Sequence, residues 1–325
     1  LLRFMLKSFG IQKNVADLED IQNIEEKFTE CPGVNRAELR ALKHLIKPEK
    51  PRNPEEDRNW EADDWISWSL HEYIPFRIWQ EHAFIYDESV ENAVCQFSDW
   101  YVGEYSTIHQ SRDLSLVNTL DQIMKSSQGT LSLVLLIDCF CTQYISHLDD
   151  SFQNFGLSRH GLAYRLAPLP TTTKNNKPLL LSGQWNTPDT NYEKILKERK
   201  NTDWNGREVH YVSSLQEFSD LKISGNGCVV VLNFVETDKL LHENLEALKT
   251  NHDEELFRIF HRIAQTTYEV TEQWPGDKSD IEIIVCSDHG ACKVLDEEKR
   301  SFDSQIVNKL FPNEQHRFCS VDKKK

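Results

Sequence analysis

Near its C-terminal end the chain sets a carboxylate beside an imidazole, in Ser287-Asp288-His289-Gly290. Asp and His are both ligands for a borderline cation such as zinc, and the glycine is expected to let the backbone turn away at once. A second pair, Asp238 and His242, is four residues apart, on one face if a helix begins there, and forms a usable bidentate ligand set. Asp138 closes an apolar run, and Pro168-Leu169-Pro170-Thr171-Thr172-Thr173-Lys174 puts three hydroxyls behind a rigid entry. Each has an ordinary explanation when taken alone. Asp138 and the threonines could cap helices, and His242 could be a surface residue. Together they are the parts of a metal site with a hydroxyl nucleophile beside it.

Such side chains need elements that bring them to one place. Leu131–Ile137, Cys228–Phe234 and Ile281–Cys286 are short, almost uninterruptedly apolar and bounded by polar residues, so all three read as buried strands. Acids follow each of them: Asp138 after the first, Glu236 and Asp238 after the second, Asp288-His289 after the third. In a parallel sheet these positions converge on one edge, outside the carboxyl ends of the strands. Residues 208–213 form a weaker strand. Residues 253–274 form a long helix whose apolar stripe is Leu256, Ile259, Phe260, Ile263, Thr267 and Val270, closed by Pro275-Gly276. From Gly129 onward strands alternate with helices. That predicts an α/β core, a largely parallel sheet with helices on both faces.

The first 128 residues predict an all-helical region without visible chemistry. Leu18, Ile21, Ile24 and Phe28 recur at helical spacing, a further helix is expected over residues 36–46, and residues 48–54 are a stiff, proline-rich break. Trp60, Trp65, Trp68, Tyr73, Phe76 and Trp79 follow at helix-like intervals among acids. Core packing is therefore expected of them rather than base stacking. More helices are expected over residues 90–104 and 114–126. The expected division is thus a helical region, 1–128, and an α/β core, 129–325, cut short at its C-terminal end. The chain starts on Leu1 and ends on three lysines, as a segment of a longer protein would.

Composition narrows the function classes. A formal charge of −15 argues against a broad phosphate-tracking surface, although bound cations would reverse the sign inside a pocket. No apolar run approaches membrane-spanning length and no signal-peptide pattern opens the chain. The eight cysteines lack disulfide-framework or zinc-ribbon spacing. Reduced, mostly buried thiols in a cytoplasmic protein are expected, and packing is the expected role of Cys139 and Cys141.

The order of the motifs resembles the alkaline phosphatase superfamily, and within it the PglZ domain. The resemblance is carried by Leu135-Leu136-Ile137-Asp138, Leu169-Pro170-Thr171-Thr172-Thr173, Leu180-Leu181-Ser182-Gly183, the stretch from Asn233 through Asp238 to His242, and Ser287-Asp288-His289-Gly290. It covers roughly residues 60–325. It implies a phosphoric-ester hydrolase, a phosphodiesterase or phosphatase, with two zinc ions. One ion takes Asp138, Asp288, His289 and the nucleophile oxygen; the other takes Asp238, His242 and a further histidine. By resemblance the nucleophile is Thr173, with Thr171 and Thr172 close enough to compete. The further histidine is expected beyond Lys325, with His316 as the alternative. The implied substrate is a phosphate ester such as a nucleotide or oligonucleotide. The implied setting is a bacterial phage-defence assembly of the BREX kind, with protein partners and no membrane. A non-catalytic interaction module in such an assembly is the rival expectation. A sulfatase is disfavoured, since no Cys-x-Pro-x-Arg motif is present.

Overall fold

A computed structural model describes residues 18–28, 46–54, 60–83, 86–126, 130–185, 191–199, 206–223, 227–242 and 252–291, with the single positions 204, 305 and 309. Residues 1–291 form one compact unit and 292–325 a second. The expected helix over residues 36–46 falls outside the described residues for all but its last position, and His316 falls outside them altogether.

The elements follow the apolar periodicities. In chain order the helices ahead of the sheet are α1 (Leu18–Phe28), α2 (Ala62–Trp68), α3 (Ile74–Ala83), α4 (Glu91–Gly103), α5 (Tyr105–Gln110) and α6 (Thr119–Ser126). A π-helical turn, Ser69–Tyr73, joins α2 to α3. Trp65, Trp68, Phe76 and Trp79 are buried there, with Trp65 and Trp68 edge-to-face at 5.6 Å between ring centroids. The aromatics are therefore core, as their spacing implies. The helix expected over residues 114–126 starts late. Ser115 pairs with Leu166 in an isolated bridge, and a 3-10 turn at Leu116–Asn118 precedes α6.

The remaining elements are β1 (Leu131–Ile137), α7 (Ile145–Gln153), α8 (Thr173–Ser182), α9 (Tyr192–Arg199), β2 (Glu208–Val212), α10 (Leu215–Ser219), β3 (Cys228–Phe234), α11 (Glu236–His242), α12 (His252–Gln273) and β4 (Ile281–Cys286). The four strands make one all-parallel sheet in the order β2-β3-β1-β4. Every residue of β1 and β3 is buried. Alternate residues face opposite sides, as the two-residue period of a strand requires. Leu131, Leu133, Leu135 and Ile137 pack with Val230, Leu232, Phe260 and Ile263 on one face. Val134, Leu136, Val229 and Val231 pack with Leu120, Met124, Leu180 and Trp204 on the other. All six positions of the α12 stripe are buried. Helices thus cover both faces and the α/β expectation holds. Burying Leu133 or Val230 completely contributes about 1.5–3 kcal/mol each.

The expectation for β4 is corrected. Ile281–Cys286 is half-buried, with only Ile284 below the surface, because β4 is an edge strand among the described residues. Among the described residues no helix is long and apolar enough to cross a membrane. Cys139, Cys141 and Cys228 are buried, Cys286 is partly so and Cys95 is exposed; all five are free thiols.

Candidate metal centre

The ends of β1, β3 and β4 lie side by side, so whatever follows them is brought together. The Asp138 N–H extends the ladder by one bond, donating to the Phe234 carbonyl at 2.8 Å. The chain then turns at Cys139, a non-glycine residue at φ 60°. That conformation costs on the order of 1 kcal/mol or more. It is held by the Thr237 hydroxyl, which donates to the Asp138 carbonyl. Gly290 was the expected turn residue, but its backbone stays out of the left-handed region. Side chains shape that loop instead. Ser287 Oγ accepts from the Phe140 N–H at 3.0 Å and donates to the His289 carbonyl at 2.6 Å. The Ala291 N–H donates to Cys141 Sγ at 3.0 Å. The loops after neighbouring strands β1 and β4 are thereby sewn to each other.

The third contribution comes from the start of α8. The Leu169–Pro170 bond is cis. Thr171 is exposed and Thr172 takes the N-cap position with extended backbone. Thr173 Oγ1 lies 2.8 Å from His289 Nε2 and 3.3 Å from Asp138 Oδ1. Of the three hydroxyls it is Thr173 that faces the carboxylates. His289 Nδ1 sits 3.1 Å from the Gly290 carbonyl, which can only accept, so Nδ1 carries the proton. In the neutral ring Nε2 then presents its lone pair to Thr173 and the pocket, the orientation a metal-ligating histidine needs.

The site holds more negative charge than it satisfies. Asp138 and Asp288 are 3% and 0% exposed. Lys177 Nζ donates to Asp138 Oδ2 at 2.6 Å and to Asn233 Oδ1 at 2.9 Å, and Asn233 Nδ2 donates to the Tyr211 hydroxyl at 2.9 Å. Both carboxylate oxygens of Asp288 are buried without a hydrogen-bond partner, with His289 Nε2 3.8 Å from Oδ2. Burial first, and then the Asp138 charge, push the Asp288 carboxyl up to about 6. Leaving a buried carboxylate without donors costs several kcal/mol unless a cation or proton meets it. Ligand atoms of Asp138, Asp238 and His289 all lie within 4.8 Å of one another. The donor set, two or three carboxylate oxygens and an imidazole nitrogen, fits a divalent cation, and the orphaned Asp288 oxygens mark where charge is missing.

Asp138, Thr173, Asp238 and His289 are thus brought together, with Asp288 buried against them. His242 Nε2 is 3.4 Å from Asp238 Oδ1, but its side chain is 58% exposed and stands apart from the three-residue group. Lys177, Asn233, Tyr211 and Asn176 were not foreseen. Asn176 Nδ2 reaches the Asp288 carbonyl at 3.3 Å. The available signal was polarity out of place: Asn233 interrupts an otherwise apolar strand, and Lys177 precedes Pro178-Leu179-Leu180-Leu181 one helical turn after Thr173. Scanned against protein-family models the chain matches none, and a search of curated proteins finds no matching relative.

Proposed function

We propose that the chain is a metal-dependent phosphoric-ester hydrolase with a threonine nucleophile, of the kind its resemblance to PglZ domains of the alkaline phosphatase superfamily implies. The observation that carries this reading is the Thr173 hydroxyl, held 2.8 Å from His289 Nε2 and 3.3 Å from Asp138 Oδ1 beside the partnerless Asp288 carboxylate. A hydroxyl converging with an unsatisfied ligand set is what nucleophile activation requires, and an ordinary capping threonine has no need of it.

Asp138, Asp288, His289 and Thr173 would hold one cation; Asp238 and His242 would contribute to a second. Zinc suits the mixed oxygen and nitrogen donors. When bound, such ions lower the pKa of a coordinated hydroxyl and offset the charge that develops on the transferred phosphoryl group. The chain's own residues supply the rest. With His289 Nε2 committed to the cation, the acceptor in reach of the Thr173 proton is Asp138 Oδ1, at 3.3 Å. The Thr173 oxygen attacks phosphorus while the ester oxygen leaves with its electron pair, giving a phosphothreonine that water then hydrolyses. Thr173 stands on the first turn of the ten-residue α8, whose positive end favours a phosphoryl anion. Burial of Asp138 and Asp288 keeps bulk water from screening these charges. A diester such as a nucleotide or oligonucleotide is the proposed substrate class, in a phage-defence setting.

Purified protein with its bound metal measured, assayed on nitrophenyl phosphate mono- and diesters, tests the reading. Turnover is expected to require stoichiometric divalent metal and to fall at least about a thousand-fold in Thr173→Ala. Metal binding without turnover would sink the hydrolase reading in favour of a binding module, and turnover indifferent to Thr173→Ala would remove Thr173 as the nucleophile.

A further inference from the structure

Lys177 is 1% exposed, and its ammonium is clamped between Asp138 Oδ2 at 2.6 Å and Asn233 Oδ1 at 2.9 Å. Asn233 cannot flip without loss, because its Nδ2 donates to the Tyr211 hydroxyl at 2.9 Å. The lysine therefore commits one oxygen of Asp138 and leaves the other, Oδ1, 3.3 Å from Thr173 Oγ1 and 3.5 Å from His289 Nε2. Nothing in an aspartate makes that choice by itself, since its terminal torsion is soft and roughly two-fold. A carboxylate free to rotate can meet a cation with either oxygen or with both.

We propose that Lys177 is a positioning residue that restricts Asp138 to one-oxygen ligation and thereby reserves a coordination place for Thr173. The inference rests on the reading that Asp138, Asp288, His289 and Thr173 share one divalent cation. Zinc in a tetrahedral site takes four ligands. Four are present only while Asp138 supplies one oxygen; once it supplies two, the Thr173 hydroxyl, the weakest donor of the set, is the most easily displaced. A buried ammonium beside a cation site also opposes cation binding through like charge. Two effects of opposite sign follow. Removing Lys177 should leave cation affinity equal or tighter, while uncoupling Thr173 from the cation and lowering turnover. Loss of mere structural support would weaken both together.

The test is a double-mutant cycle in the full chain between Lys177→Met, neutral and of similar length, and Thr173→Ala. It is read by the visible absorption of the cobalt(II)-substituted protein, by cobalt affinity and by nitrophenyl ester kinetics. Thr173→Ala is expected to shift the cobalt bands in the wild-type background and not in the Lys177→Met background. Lys177→Met is expected to bind cobalt at least as tightly as the wild type, with kcat reduced about thirty-fold or more and KM changed less than about three-fold. An equal band shift in both backgrounds overturns the proposal, as does loss of cobalt affinity in step with thermal stability. Should Lys177→Met fail to fold, Asn233→Ala, which removes one of the two anchors of the ammonium, carries the same cycle. Its expected result is a reduced Thr173→Ala band shift, and an undiminished shift overturns the proposal. A wild type that binds cobalt without hydrolysing esters refutes the hydrolase reading alone, because the spectral cycle still decides the role of Lys177. A wild type that takes up no cobalt refutes both.

Discussion

At the scale of single residues, Asp288 has the most exacting surroundings. It is fully buried, both its oxygens lack hydrogen-bond partners, and its carboxyl is pushed up to about 6. A carboxyl raised in the folded state favours folding while protonated, and that contribution is lost as pH rises from about 4 to about 6. Metal-free protein is therefore expected to lose on the order of 3 kcal/mol across that window through this one group. Asp288→Asn should remove the loss, making the metal-free protein more stable than wild type at pH 7 and equal to it near pH 4, while cation affinity collapses. Paired denaturant titrations of the two metal-free proteins at both pH values check this. A destabilised Asp288→Asn protein at pH 7 would show that the carboxylate is already satisfied without a cation.

At the scale of elements, the helical region that showed no chemistry in the sequence holds the strand of chain leading to the nucleophile. The Leu116 N–H donates to the Leu166 carbonyl at 3.1 Å and the Leu166 N–H to the Leu114 carbonyl at 2.8 Å. The Tyr101 hydroxyl donates to the Ala167 carbonyl at 2.6 Å, and the Tyr105 hydroxyl accepts from the Leu169 N–H at 3.0 Å. Because the Tyr101 proton goes to a carbonyl, His109 Nε2, at 2.7 Å, must be the donor to Tyr101; burial of this ring lowers its pKa to about 4. At the far end of α8, Gly183 closes the helix at φ 66°, where an added Cβ would fall 2.8 Å from an oxygen of Asp121. That explains the glycine in Leu180-Leu181-Ser182-Gly183 as a left-handed C-cap with no room for a side chain. Tyr105→Phe removes one anchor four residues before Thr173 and touches no proposed ligand. It should lower kcat by about three- to ten-fold with bound metal unchanged. A concurrent loss of metal would mean that Tyr105 supports the ligand set itself and not only the loop.

At the scale of the whole molecule, the sheet supplies the rigidity and a bound cation would supply part of the stability. A ligand that binds only the folded state adds RT ln(1 + [L]/Kd), about 2.7 kcal/mol at a hundred-fold excess over Kd. Thermal midpoints measured against free zinc should therefore rise with the logarithm of its concentration. The rise should vanish in a protein carrying both Asp138→Asn and Asp288→Asn. A midpoint indifferent to zinc in the wild type would remove the cation from the folded state.

Much of this was legible without coordinates. Leu131–Ile137 and Cys228–Phe234 declare themselves as central strands because a strand covered on both faces must be apolar at every position, and α12 declares itself through its stripe. Parallel strands with acids at their carboxyl ends then require Asp138, Asp238 and Asp288-His289 to approach one edge. Other features were beyond reach. Composition does not separate three adjacent threonines, and only the resemblance points to Thr173; that its hydroxyl, and not the other two, faces His289 depends on where the N-cap falls. The position of β4 at an edge depends on strand order, to which local apolarity is blind. The clamp on Asp138 joins residues 39 and 56 positions apart, and no local pattern relates Lys177 to Asn233. Periodicity reports which side of an element is buried. Which polar atoms then meet is decided by sheet order, by the sewn loops and by the requirement that each buried charge find a partner.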